Sequence, residues 1–283
     1  MGPPTRNSTL PPMDRHAAGR LMAPLTELVA LAGAAILKVD RSRMRIDGKT
    51  DGSPVTEADL AADRIIADGL SHLAPDIPAL SEERVTWART GCPELFFLID
   101  PLDGTKEFIA GRDEFTVNLA LVANGTPLLG IIGAPALGLI WRGLVGQGAE
   151  RLATGQGQGS EHGIGPAQAI RTRPFPPPGH PWIAAVSRSH GDAATEAFID
   201  ARPGAIRERL GSAIKLAKVA EGAVDIYPRL APTSEWDIAA GHAVVTAAGG
   251  KVTDAKGAAL RFGEGAKDFL VPSFIAWGDP AAA

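Results

Sequence analysis

Stacked layers of helix and sheet are what this chain of 283 residues predicts, and three observations carry that expectation. Segments with apolar residues at helical spacing alternate with short apolar runs of strand type, the pattern of layered α and β elements. Hydrophobic residues make up 45% and charged residues 21%, which is an ordinary globular composition. The length suits one large domain or two medium ones, with room for a sizeable core.

The elements follow in order. Residues 1–19 are polar and Pro-rich and read as a disordered tail. Leu21, Leu25, Leu28, Ala32 and Ile36 then recur at helical spacing and predict a helix over 21–39. Residues 48–54 form a polar turn. Thr56 opens a second helix that buries Ile66, Leu70 and Leu73, and Pro75 and Pro78 end it. Residues 95–99 are a short apolar strand leading into an acidic segment. Residues 116–123 and 128–134 read as strands joined by a hairpin at Asn124-Gly125, followed by a short strand at 139–141.

The stretch 143–181 is rich in Gly and Pro, and 155–159 reads as a flexible surface loop. A boundary is expected near 178–181. Beyond it come a strand at 182–186 and a helix at 193–199. A helix at 212–221 has Ser212 as its cap and Gly222 as its stop. A strand at 223–227 and a helix at 236–248, closed by Gly249-Gly250, complete the set. The organisation is thus a tail (1–19), an amino-terminal half (20–180) and a carboxyl-terminal half (181–283).

Charge and cysteine content exclude several classes. The net charge of -4 gives no basic excess for nucleic acid. Cys92 is the single cysteine, so no internal disulfide is possible and nothing points to an oxidising compartment. No segment reads as the run of roughly 18 apolar residues that spans a membrane, and the start of the chain lacks a signal-peptide core. The expectation is a cytoplasmic protein without stable membrane insertion. Peripheral contact with the inner membrane stays open, as does the choice between monomer and homodimer.

The chemistry concentrates in Asp100-Pro101-Leu102-Asp103-Gly104-Thr105. Two carboxylates three residues apart, across a proline-stiffened bend at a strand end, can converge on hard cations. The Leu102 carbonyl lies between them as a neutral ligand, and Gly104 lets backbone approach a ligand closely. Asp103-Gly104 alone is a common turn. Glu82-Glu83 alone is a solvated face, although one of the two can join a metal site. Thr56-Glu57-Ala58-Asp59 is close to a capping box, with Val55 and Leu60 as its staple. Asp237 sits where a helix dipole favours an acid. Ser187-Arg188-Ser189-His190, Lys215 and Arg229 are unremarkable singly; their order along one chain is what is specific.

That order resembles the inositol monophosphatase superfamily of metal-dependent, lithium-sensitive phosphatases. Its two signatures are matched by residues 100–105 and by Trp236-Asp237-Ile238-Ala239-Ala240-Gly241. Within the superfamily the chain is most similar to the bacterial 3′(2′),5′-bisphosphate nucleotidases, through Ser53-Pro54-Val55-Thr56, Lys106-Glu107-Phe108, Ser187 to His190, Ser212 with Lys215, and Tyr227-Pro228-Arg229-Leu230. The resemblance covers about 25–274 and implies a layered αβαβα sandwich with the site between two halves. It implies two or three Mg²⁺ held by Glu82, Asp100, the Leu102 carbonyl, Asp103 and Asp237. It implies catalytic roles for Asp59, Glu82 and Thr105, with Thr105, supported by Asp59, activating the attacking water. Substrate contacts would come from Glu82, Leu102, Asp103, Gly104, Thr105, His190, Ser212, Lys215, Arg229 and Asp237. The tail and the Gln/Gly-rich loop depart from the family pattern but avoid the motif positions.

The implied reaction removes the 3′-phosphate of adenosine 3′,5′-bisphosphate, with the 3′-phosphate of its sulfated analogue as a further target. Lys215 and Arg229 would hold the second phosphate, Arg as a bidentate fork and Lys as a point charge. An inositol or sugar phosphatase on the same frame is the nearest alternative. A non-catalytic Mg²⁺ and nucleotide sensor is the alternative from another class, and the presence of Asp59 and Thr105 speaks against it.

Overall fold

The computed structural model describes residues 15–48, 53–84, 92–155, 163–189, 191–263 and 269–283. Two helices open the chain, α1 (Arg15–Leu37) and α2 (Glu57–Leu73), with a small antiparallel pair, β1 (Ile46–Gly48) and β2 (Pro54–Thr56), between them. A sheet of seven strands follows: β3 (Ala79–Ser81), β4 (Leu95–Asp103), β5 (Thr116–Ala123), β6 (Thr126–Ala134), β7 (Leu139–Leu144), β8 (Gly148–Ala153) and β9 (Gln168–Ile170), in sequential order. A short helix, α3 (Thr105–Ile109), leaves the end of β4. The β5–β6 hairpin turns at Asn124-Gly125, whose φ values of 48° and 71° are the paired left-handed conformations that the dipeptide predicts.

A second sheet, of five strands, contains β10 (Trp182–Ser187), β11 (Ala205–Leu210), β12 (Ile226–Arg229), β14 (Lys251–Thr253) and β16 (Phe274–Trp277) in the order β11-β10-β12-β16-β14. Short strands β13 (Thr233–Ser234) and β15 (Leu270–Val271) pair beside it. Three further helices are α4 (Ala193–Asp200), α5 (Ile214–Ala220) and α6 (Glu235–Ala247).

Burial on both faces explains the layering. Leu95, Phe97 and Ile99 of β4 join the core beneath α1 and α2, whereas Phe96 and Leu98 join the core around α5 and α6. A strand buried on both faces must read as a continuous apolar run, and 95–99 does. The second sheet contributes Ala185, Tyr227 and Phe274 to the α5–α6 core, and on its other face Trp182, Ile226 and Trp277 pack with Ile199 of α4. The order is therefore helix, sheet, helix, sheet, helix, the αβαβα sandwich that the resemblance implies.

Several expectations need correction. Helix α1 begins at Arg15, so 15–19 belong to a helix rather than a tail; the rest of the expected tail, 1–14, lies outside the described residues. The same helix has 23 residues and a mean hydropathy of 1.5 over its most apolar window, so by length and composition one helix can cross a membrane, contrary to expectation. In the fold its apolar face packs on α2 and β6. Leu73 is exposed (38%) where burial was expected, because it lies in the last turn of α2. Strands β8 and β9 lie inside the Gly- and Pro-rich stretch, and β11 was unforeseen. The Gln/Gly-rich loop is described only at Gly155; 156–159 fall outside the described residues. Ser212 does not cap α5: that helix starts at Ile214, with Ala213 at its cap position, and Ser212 adopts a φ of 48°.

Candidate active site

The site grows from the end of β4. Pro101 has no N–H for the ladder, and the β4–β5 register shifts between Asp100 and Asp103. This irregularity sets Asp100 opposite Asn118 and Asp103 opposite Thr116. Asp100 accepts from the Leu102 N–H at 3.0 Å. Asp103 accepts from Asn118 Nδ2 at 3.3 Å and Thr116 Oγ1 at 3.5 Å. Gly104 then takes a φ of 93°, and a Cβ added there would lie 2.3 Å from Ser212 Oγ. Only glycine satisfies both conditions.

Three further acids arrive from other elements. Glu82 follows β3, which runs parallel to β4, and its N–H bonds the Ile99 carbonyl at 3.1 Å beside Asp100. Asp237 occupies the first turn of α6, where it accepts from Thr233 Oγ1 and from the Ser234 N–H at 3.3 Å. Asp59 serves two purposes at once. Its Oδ2 accepts from the Thr56 N–H at 2.8 Å and Thr56 Oγ1 at 2.6 Å, closing the capping box. Its Oδ1 accepts from Thr105 Oγ1 at 3.0 Å. The cap and the functional pair are one side chain.

Glu82, Asp100, Leu102, Asp103, Gly104, Thr105, Ser212, Lys215, Arg229 and Asp237 all line one cleft of about 270 Å³. Asp59 stands behind Thr105, which donates to it. His190 lies outside the described residues. The site thus gathers every candidate that the structure describes, in the cleft or directly behind it.

The acids strain against one another. Burial, then the charges of Glu82, Asp103 and Asp237, hold Asp100 well above the usual carboxylate range. Burial also raises Asp103, against the opposing pull of Lys215. Asp237 is pushed up to about 6, by burial first and Asp103 next. Such a group is stable only when protons or cations neutralise it. Among the described residues, no three carboxylate, histidine or cysteine side chains draw together into a closed metal cage. The acids ring the cleft instead. An all-oxygen set with open positions suits a hard cation completed by phosphate and water oxygens.

The cationic side is built differently. Lys215 is buried (3% exposed), and its Nζ donates to the Ser212 carbonyl at 2.7 Å and the Leu210 carbonyl at 3.4 Å. Burial lowers its pKa to about 8 despite the raising effect of Asp103. It also stands 5.2 Å from the Tyr227 ring centroid. Arg229 donates through Nη2 to the Pro232 carbonyl at 3.2 Å, and its buried Nε has no hydrogen-bond partner. Arg188 and Ser189 point elsewhere than a substrate: Arg188 forks onto Glu114 at 2.7 and 2.8 Å, and Ser189 Oγ donates to Glu107.

Sequence reading missed Thr116 and Asn118. Both are fully buried polar residues at alternate positions of an otherwise apolar strand. That alternation was a usable signal, because buried polar side chains need partners.

The comparisons agree with this geometry. The inositol monophosphatase family model matches residues 20–281. The chain is 40% identical over 257 residues to the 3′(2′),5′-bisphosphate nucleotidase CysQ of Shigella flexneri, covering 88% of this chain and 96% of that one. It is 39% identical to CysQ of Escherichia coli K12 over the same shares. Among solved structures, CysQ from Bacteroides thetaiotaomicron superposes with a TM-score of 0.72 at 34% identity, covering 90% of this chain and 96% of that one. An inositol monophosphatase from Thermotoga maritima gives 0.70 at 26% identity, over 93% and 94%. With its signature acids gathered in one cleft and these likenesses along nearly its whole length, the chain belongs to the inositol monophosphatase family of metal-dependent phosphatases.

Proposed function

We propose that the protein is a Mg²⁺-dependent phosphatase that hydrolyses the 3′-phosphate of adenosine 3′,5′-bisphosphate, giving AMP and inorganic phosphate. The observation that carries this reading is one cleft holding both a ring of oxygen donors and two cationic side chains, the buried Lys215 and the half-buried Arg229. The oxygen donors suit a metal-bound phosphate. The cations suit a second phosphate on the same substrate, which an inositol monophosphate lacks.

In this reading Glu82, Asp100, the Leu102 carbonyl, Asp103 and Asp237 hold two or three Mg²⁺. Bound Mg²⁺ supplies a more acidic water and neutralises charge on the phosphate. The chain's own groups do the rest. Thr105 donates its hydroxyl hydrogen bond to Asp59, which leaves its oxygen lone pairs free to accept a hydrogen bond from a water in the cleft. That water is thereby aimed at phosphorus. Its oxygen forms the new P–O bond while the P–O3′ bond breaks, and the one proton that the attacking water gives up is matched by the one that the departing ribose oxygen takes. Positioning and charge are most of what phosphoryl transfer needs. Arg229 and Lys215 orient the nucleotide by its 5′-phosphate; a contact from His190 is carried by the family resemblance alone, since that residue lies outside the described ones. The substrate is a small molecule, in keeping with the nucleotidase name of the CysQ relatives, and this reading takes the compartment as the cytoplasm.

A panel of phosphate-release assays tests the proposal. Adenosine 3′,5′-bisphosphate should be turned over with a kcat/KM at least tenfold above that for inositol 1-phosphate or a sugar phosphate. Preference for inositol 1-phosphate would overturn it. Tight nucleotide binding with no phosphate release would mark a sensor instead.

A further inference from the structure

We infer that Ser212 is a positioning residue that latches the turn before α5 onto the Asp103–Gly104 turn, rather than a contact to substrate. The inference rests on the metal-site reading above and deepens it. Ser212 Oγ donates to the Asp103 carbonyl at 2.8 Å and the Glu114 carbonyl at 2.9 Å. A hydroxyl has one proton, so that proton is shared between two backbone oxygens and is not offered to a phosphate. Both carbonyls lie about a hundred residues away in the chain, on either side of α3. One hydroxyl therefore holds the start and the end of the loop that carries Asp103, Gly104 and Thr105.

The surroundings are shaped to this bond. Ser212 has a φ of 48°, a conformation that a non-glycine side chain takes up only where its environment compels it. Its own carbonyl is held by Lys215 Nζ at 2.7 Å. A Cβ on residue 104 would fall 2.3 Å from the hydroxyl, so the motif glycine is fitted to the serine as well as to its own backbone angle. A Cβ on Gly211 would fall 2.6 Å from the Glu114 carbonyl, so the two turns meet backbone to backbone. Lys215 likewise spends hydrogen bonds on keeping this turn closed, and only then faces the cleft.

The latch and a substrate contact predict different kinetics. A lost substrate contact raises KM and leaves metal binding alone. A lost latch loosens the Asp103 carboxylate, so metal affinity and kcat fall together while KM is spared. The test uses Ser212→Ala and Ser212→Gly in the full-length protein, the second because glycine keeps the left-handed backbone if alanine impairs folding. Mg²⁺ is titrated into substrate-free protein and followed by melting temperature, and kinetics are measured at saturating Mg²⁺. The latch predicts a half-saturating Mg²⁺ concentration about tenfold higher, kcat down about tenfold and KM within twofold of wild type. A tenfold rise in KM with an unchanged Mg²⁺ titration would overturn it, as would variants indistinguishable from wild type. If wild type itself gave no Mg²⁺ response, the metal reading would fail separately. The latch would then be judged by amide hydrogen exchange at 103–105, which it predicts to be at least tenfold faster in both variants; unchanged exchange would overturn it.

Discussion

Asp225 and Asp100 are two equally buried aspartates with opposite surroundings. Asp225 takes a forked pair of bonds from Arg173 at 2.7 and 2.8 Å and a third from the Ile183 N–H at 2.6 Å. Its charge is fully answered, and the pairing raises the Arg173 pKa in return. Asp100 has one backbone N–H, shares a hydrogen bond with Glu82 and faces the charges of Glu82, Asp103 and Asp237. The first arrangement ties the 171–181 crossing to β10 and stabilises the fold. The second works against the fold and is relieved only by protons or by a cationic occupant. A buried acid answered by a cation of the chain marks structure; one set among like charges is a candidate for function.

Neutralising each acid in turn separates the two cases. Asp100→Asn should cut kcat/KM by about 10³-fold, while the metal-free protein melts no lower than wild type because a repulsion is removed. Asp225→Asn should do the reverse. It strands Arg173 and costs about 3 kcal/mol of stability, with turnover per folded molecule close to wild type. Denaturant melts beside steady-state kinetics read both, and equal effects of the two changes on stability would erase the distinction.

Arg229 lies between the two cases, since its buried Nε has no answering acceptor. Arg229→Ala should raise KM for adenosine 3′,5′-bisphosphate by about 30-fold, near 2 kcal/mol for a charge-assisted contact. Inositol 1-phosphate should be affected far less. If the ratio of the two kcat/KM values did not move, the second-phosphate grip would be wrong.

The smallest effect belongs to His242, which meets burial by giving up its proton. Its Nδ1 has no partner, its ring packs edge-on to Phe262 at 5.5 Å, and burial lowers its pKa to about 4. The folded pKa lies below the unfolded value of about 6.5. Between those values the unfolded chain binds the extra proton, so acid favours unfolding. Stability from this residue is complete above about pH 6.5 and declines toward pH 4, by about 1 kcal/mol between pH 6 and 5. His242→Gln should remove that part of the slope in melts across the range; an unaltered slope would contradict it.

How far the sequence reveals all this depends on range. Asp100 to Thr105 is legible because a strand, a proline and two acids are adjacent. Thr56 and Asp59 are legible as a cap, and the structure adds that the free oxygen of the same cap reaches Thr105. Leu95 to Ile99 announces a strand buried on both faces. The rest depends on distant partners. Strand β11 is an edge with alternating Arg and Glu, and Arg207 pairs with Glu196 and Asp200 of α4; no local pattern reports that. Asn118 becomes a partner of Asp103 only once the β4–β5 register is known. Ser212 looks like a helix cap until the fold brings Asp103 and Glu114 to its hydroxyl.

The decisive measurement is phosphorus NMR of adenosine 3′,5′-bisphosphate incubated with the protein. With Mg²⁺ the 3′-phosphate signal should disappear, with matching growth of inorganic phosphate and a retained 5′-phosphate, and with chelator none of these should occur. Phosphate release that persists without a divalent cation, or removal of the 5′-phosphate instead, would contradict it.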